Sequence, residues 1–98
     1  MDKLIVWNKK AQAKFDKTVS YLQKDWSEKI AENFVKTTNQ NLFLLSKFPH
    51  LGRKSSKNTA VRLLNITRHN QMFYRIEGRK IIILTFFDLR QDSSKKPF

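Results

Sequence analysis

The chain has no cysteine, only two glycines and two prolines, and eight acidic residues against twenty basic ones. The missing cysteine excludes disulfides, thiolate metal ligands and cysteine nucleophiles together. Histidine is nearly as scarce: His50 and His69 stand far apart without clustered carboxylates, so neither a zinc site nor any other cofactor is expected. Glycine-rich phosphate loops, repeats and low-complexity segments are all missing. The longest apolar run, residues 81–87 broken by Thr85, falls far short of the ~20 residues of a membrane span, and the apolar start is too short for a signal peptide. A cytoplasmic protein without membrane contact is the expectation.

What remains is a small, strongly basic globular chain. Its 98 residues, 40% hydrophobic and 12% aromatic, suffice for one modest core and leave no room for a second lobe that carries a cofactor. The formal net charge is +12, which implies a polyanionic partner: nucleic acid, a membrane surface or an acidic protein. Residues 1–49 carry nine lysines, no arginine and five acids, whereas residues 50–98 carry eleven basic residues and three acids, all six arginines among them. Arginine suits bidentate contact with phosphate or carboxylate, so the second half is where the polyanion is expected.

Apolar spacing supplies the elements. Leu4 to Trp7 reads as a strand, and Asn8 can cap a helix from Lys9. Ala11, Phe15, Val19, Leu22 and Trp26 recur at three and four with lysines between them, an amphipathic helix. Ser27 can cap a second helix whose apolar face carries Ile30, Phe34, Leu42 and Leu45, and Glu28 suits the positive end of its dipole. Phe48 and Pro49 end it, because proline lacks an amide proton and disfavours helical geometry before it. His50 to Gly52 is then a turn and residues 53–58 a polar basic loop. Residues 59–66, 71–77 and 80–88 read as strands, the last two joined by a tight turn at Gly78. The run 81–87 is apolar on both faces and implies a central strand with helices over one side and something apolar over the other. The expected fold is α+β: a helical hairpin on a mostly antiparallel four-stranded sheet, β-α-α-β-β-β, with a mobile polar tail from about residue 91 to 98.

In this order the pieces resemble the RelE/ParE superfamily of toxins from bacterial type II toxin–antitoxin modules, over nearly the whole chain. The marks are Lys10-Ala11 through Tyr21 to Trp26; residues 45–53, Leu-Ser-Lys-Phe-Pro-His-Leu-Gly-Arg; Arg62-Leu63; residues 69–76, His-Asn-Gln-Met-Phe-Tyr-Arg-Ile; and residues 81–92, ending Phe-Phe-Asp-Leu-Arg-Gln-Asp. The Phe-Tyr-Arg-Ile strand, the isoleucine-rich strand after it and Arg-Gln-Asp are most similar to the ParE or plasmid-stabilisation branch. The resemblance implies a growth-inhibiting toxin, a cognate acidic antitoxin that neutralises it, and operator DNA met only through their complex. ParE-like members poison DNA gyrase, while RelE-like members are metal-independent ribonucleases that cut mRNA on the ribosome.

For RNA cleavage a site needs a general base, a general acid and cations at the phosphate. The catalytic candidates under that reading are Arg53, Arg62, His69 and Arg90. Where RelE-like strands carry an arginine, this chain has Gln71, and beyond Arg90 it has neither histidine nor tyrosine, which favours gyrase. The target-binding or nucleic-acid-binding candidates are Arg53, Lys54, Lys57, Arg62, Arg68, Arg75 and Arg90. Against these readings stand plainer ones: Arg75 and Arg90 pairing with Glu77, Asp88 or Asp92, His69 as a surface residue, and Tyr74, Trp7 and Trp26 as core aromatics. A non-toxic basic module that binds nucleic acid across an open sheet face is a further alternative, although the aromatic signature of an RNA-recognition sheet is missing.

Overall fold

Both helices begin where the caps place them. In the computed structural model, which describes residues 2–98, the Asn8 side chain accepts the Ala11 amide at 2.7 Å and Ser27 Oγ accepts the Ile30 amide at 3.1 Å. Each bond satisfies one of the amide groups that a helix start leaves without an intrahelical acceptor. Helix α1 spans Lys9–Asp25 and α2 spans Glu28–Lys47. Only Trp26 and Ser27 separate them, and both of their amides donate to Leu22 O, so the chain turns within two residues. Phe48 closes α2 with its amide on Leu44 O.

The sheet has five strands, one more than expected: β1 Leu4–Trp7, β2 Arg53–Lys54, β3 Arg62–Asn65, β4 Asn70–Glu77 and β5 Lys80–Asp88. The additional strand, β2, lies inside the segment expected to be a loop. Two basic residues carry no hydrophobic alternation, so only pairing with Leu63 and Arg62 defines it. The strand expected over residues 59–66 is correspondingly shorter. The spatial order is β1-β5-β4-β3-β2, antiparallel throughout except that β1 runs parallel to β5. Gly78, at φ +59°, takes the first of two turn positions between β4 and β5, a conformation that glycine adopts without strain.

The helical hairpin covers one face of this sheet. Its core joins Phe34, Leu45, Met72, Tyr74, Ile81, Ile83 and Phe86, all essentially buried. Trp7, Phe15, Phe34 and Phe86 form one group of rings with centroids 5.2 to 6.1 Å apart. Such pairs add roughly 0.5–1.5 kcal/mol each beyond burial. Trp7 is therefore a core aromatic, as expected.

The opposite face is apolar too. Val61, Leu63, Phe73, Leu84 and Phe87 are buried there, and Phe98 packs on Phe73 with ring centroids 5.6 Å apart. A bulge makes the double-sided strand possible: Phe73 faces Thr85 but Tyr74 faces Ile83, so Leu84 is an extra residue on β5. Ile81 and Ile83 before it and Phe86 after it all face the helices, although strict alternation would put Phe86 on the other side. The segment after β5 forms a short 3₁₀ turn at Ser93–Lys95 and then crosses this face, where Lys57 Nζ donates to Lys96 O at 3.1 Å.

Candidate functional site

Strand pairing decides which arginines share a surface. Arg62 lies opposite Tyr74, whose side chain faces the helices, while Arg53 lies opposite Leu63, which faces away from them. The two arginines therefore leave opposite faces of the sheet. Lys54, opposite Arg62, falls on the helix side.

Arg62 is committed to a backbone lock. Its Nη1 donates to Gly52 O at 2.7 Å, and Tyr74 Oη accepts the Gly52 amide at 2.8 Å while donating to Pro49 O at 2.7 Å. Two side chains thus hold both polar groups of Gly52, the residue just before β2. Burial pushes the Tyr74 hydroxyl above the usual phenol range, against smaller opposing effects from the Gly52 hydrogen bond and the Arg62 charge. Only glycine fits here, because a Cβ would meet Leu63 O and Tyr74 Oη at 2.7 Å. Tyr74 is a core residue, as the sequence suggested.

Arg75 lies on the face away from the helices and bonds Glu77, with Nη2 at 3.0 Å from its carboxylate. Gln71 is buried on that face and donates to Asn65 Oδ1 at 3.0 Å. Where the resemblance places an arginine, the sheet therefore carries a covered amide, and the arginines stand around an apolar centre instead of paving it.

The remaining candidates gather at the end of the sheet where β5 finishes. Arg90 forms a two-point pair with Asp88, Nη2 to Oδ2 at 2.7 Å and Nε to Oδ1 at 3.0 Å. Those hydrogen bonds hold the Asp88 carboxyl below the usual carboxylate range and Arg90 more firmly protonated. The Arg90 guanidinium also lies 5.4 Å from the Trp26 ring centroid and 5.9 Å from that of Tyr21. Arg68 and His69, in the turn between β3 and β4, line the same cleft with Trp26 and Arg90. Trp26 is here a correction, being 54% exposed. The apolar spacing 15, 19, 22, 26 presumes one continuous helix, but α1 stops at Asp25 and Trp26 sits on the corner outside both helices. The Ser27 cap was the signal for this, since a residue that precedes a cap has left the helical stripe.

The structure thus separates the sequence-derived candidates into three places: Arg62 and Lys54 on the helix side of the β2–β3 edge, Arg53 and Arg75 on the other face with Lys57 near the crossing tail, and Arg68, His69 and Arg90 in the end cleft. It adds Tyr21, Trp26, Lys14, Lys17 and Asn70 to the last group. Among the described residues no group of three or more His, Cys, Asp or Glu is placed to hold a metal ion. No helix is long and apolar enough to cross a membrane.

A two-helix hairpin on one face of this five-stranded sheet is the fold of the RelE/ParE superfamily of toxins. The model of the family described as ParE toxin of type II toxin–antitoxin system, parDE, matches residues 5–93, and the chain belongs to that family. A structure of the chromosomal ParDE system of P. aeruginosa superposes with TM-score 0.71 at 22% identity, over 89% of this chain and 96% of that one. The YoeB/ParE toxin of Agrobacterium tumefaciens gives 0.64 at 13% identity, over 87% and 96%. The toxin–antitoxin complex RelBE2 of Mycobacterium tuberculosis gives 0.61 at 14%, over 90% and 99%. No curated protein matches the chain.

Proposed function

We propose that the free chain arrests growth by acting on DNA gyrase, not by cutting RNA, and that a cognate acidic antitoxin neutralises it. The observation that carries the choice of target is the dispersal of the four candidates for RNA cleavage. General acid–base chemistry needs its groups within hydrogen-bond reach of one phosphate. Arg53 and Arg62 leave opposite faces of the sheet, Arg62 is spent on Gly52 O, and His69 and Arg90 line the end cleft beyond β5. The ParE description of the matching family favours the same target. An acidic partner is supported by the net charge of +12 and by the toxin–antitoxin systems among the similar structures.

Expression of the chain alone should stop growth, and co-expression of the adjacent small gene should restore it. Purified chain should inhibit gyrase supercoiling and leave ribosome-bound mRNA intact. Harmless expression at confirmed levels would refute the toxin reading. Cleavage of mRNA that disappears in Arg53→Ala or Arg62→Ala would refute the choice of target alone.

A further inference from the structure

Packing does not account for the rings at the α1–α2 corner. Trp26 is 54% exposed and Tyr21 42% exposed, although burying a large ring is worth about 1.5–3 kcal/mol. The rings are nevertheless ordered by one another: Trp26 Nε1 donates to Tyr21 Oη at 3.2 Å, and Arg90 lies over both. Asp88 grips Arg90 from the other side. The result is a platform of two rings and a guanidinium in mutual contact that turns an aromatic surface toward solvent.

Two hollows flank this platform. One, of about 480 Å³, lies between α1 and the end of β5 with Lys14 and Lys17 on its rim; the other, of about 260 Å³, lies beside Trp26 and Ile30 with Arg68 on its rim. They share Leu22, Asn70 and Arg90 and so lie side by side along the corner as two parts of one cationic groove face. Asp88 is the one acid along it and is already paired with Arg90, and neither lysine nor Arg68 is in an ion pair among the described residues. The groove therefore offers exposed rings flanked by three uncompensated cations.

We propose that this groove binds single-stranded nucleic acid, with a base stacked on the Trp26 and Arg90 platform and the phosphates on either side held by Lys14 and Lys17 and by Arg68. Stacking surfaces set in a cationic groove are how proteins hold single strands without reading much sequence. The exposed amide of Asn33 on the rim of the smaller hollow carries a donor and an acceptor of the kind that base edges present, whereas Asn70 is buried and donates to Thr67 Oγ1 at 3.1 Å. An acidic amphipathic helix would need aliphatic anchors on successive turns. The exposed apolar lining is instead mainly the Tyr21 and Trp26 rings with Ile30, since Leu22 and Phe34 are buried. Two neighbouring hollows on either side of Arg90 also suit a strand of several nucleotides better than a single one. The inference is independent of whether gyrase is the target.

The test is fluorescence anisotropy of the full chain with labelled oligo(dT) and oligo(U) of about a dozen nucleotides, a length that covers a typical single-strand site. Trp26→Ala leaves the charge unchanged, so attraction by net charge alone predicts no effect. Loss of stacking predicts affinity weakened roughly 5- to 150-fold, with most of it recovered in Trp26→Tyr. Replacing Lys14 and Lys17 together by alanine should lower the slope of log affinity against log salt by about 1.4, at ~0.7 per lost phosphate contact. Arg68→Ala, in an exposed turn, gives an independent check, with an expected fall in the slope of about 0.7. Equal binding by Trp26→Ala and the parent would overturn the proposal. So would competition by dTMP as strong, per nucleotide, as by the oligomer, or binding of polyglutamate that depends on Trp26 to the same extent.

Discussion

Replacing Tyr74 by phenylalanine removes one oxygen that serves two backbone groups, the Gly52 amide at 2.8 Å and the Pro49 carbonyl at 2.7 Å. The ring stays in a site where Tyr74 is fully buried, so packing is nearly conserved and the change isolates the hydroxyl. Gly52 is itself buried, and its amide would lose its acceptor with no water to replace it. An orphaned buried donor costs about 1–3 kcal/mol, whereas the half-exposed Pro49 carbonyl can turn to solvent at smaller cost. A total near 2 kcal/mol should lower Tm by roughly 8–16 °C in a domain of this size. The same lock has a pH signature. Burial raises the Tyr74 pKa in the folded state, so the folded chain resists ionisation that the unfolded chain accepts. Stability from this group is complete below the ordinary tyrosine value of ~10 and is lost as pH rises from there through the folded value. Parent and Tyr74→Phe should therefore converge in stability above about pH 10. Thermal and urea unfolding between neutral and alkaline pH measures both effects. A variant within about 0.5 kcal/mol of the parent at neutral pH, or parallel alkaline losses in the two proteins, would refute the reasoning.

Three further substitutions probe Gly52, the Asp88–Arg90 pair and the Phe98 ring. Gly52→Ala places a methyl 2.7 Å from Leu63 O, a backbone atom that cannot step aside. It should cost about 1–3 kcal/mol and raise hydrogen exchange at Ser55, whose amide bonds Val61 O beside β2. Asp88→Asn should cost under about 1 kcal/mol because the pair is part-exposed. The Asp88 carboxyl is held low by Arg90, so its contribution is present above the ordinary aspartate value of ~3.9 and disappears as pH falls through the lower folded one. Acid unfolding of parent and variant should therefore coincide at the lowest pH. Phe98→Ala removes the ring that packs on Phe73 and should cost about 1 kcal/mol by urea unfolding, while an unchanged midpoint would mean that the crossing segment adds no stability.

The sequence was most informative where the physics is local. Asn8, Ser27 and Phe48-Pro49 mark helix ends through bonds that reach three or four residues, and the two-sided apolar run 81–87 announced a strand buried on both faces. It was silent where partners lie far apart in the chain. β2 exists only because Leu63 and Arg62 pair with it, and no periodicity in two basic residues could show that. The arginine candidates illustrate the same limit. All six lie beyond Gly52, but which face each one leaves depends on register, so a common basic surface could not be told from several small ones. Trp26 shows how a cap limits periodicity: its spacing of four from Leu22 suggests the core, but the Ser27 cap beside it ends the helical stripe before Trp26.

The parallel pairing of β1 with β5 has a temporal side. Every partner in that ladder is 76 positions away, from Leu4 with Lys80 to Trp7 with Ile83. During synthesis the first strand to emerge therefore waits for the last one, while the helical hairpin, whose contacts are short in sequence, can form early. Until Lys80–Ile83 has left the ribosome, Trp7 and Phe15 have no Phe86 to close upon, and the ring cluster that ties helices to sheet does not exist. Interrupted translation would thus release fragments with an open core, ready for degradation, and only a nearly completed chain could act on its host.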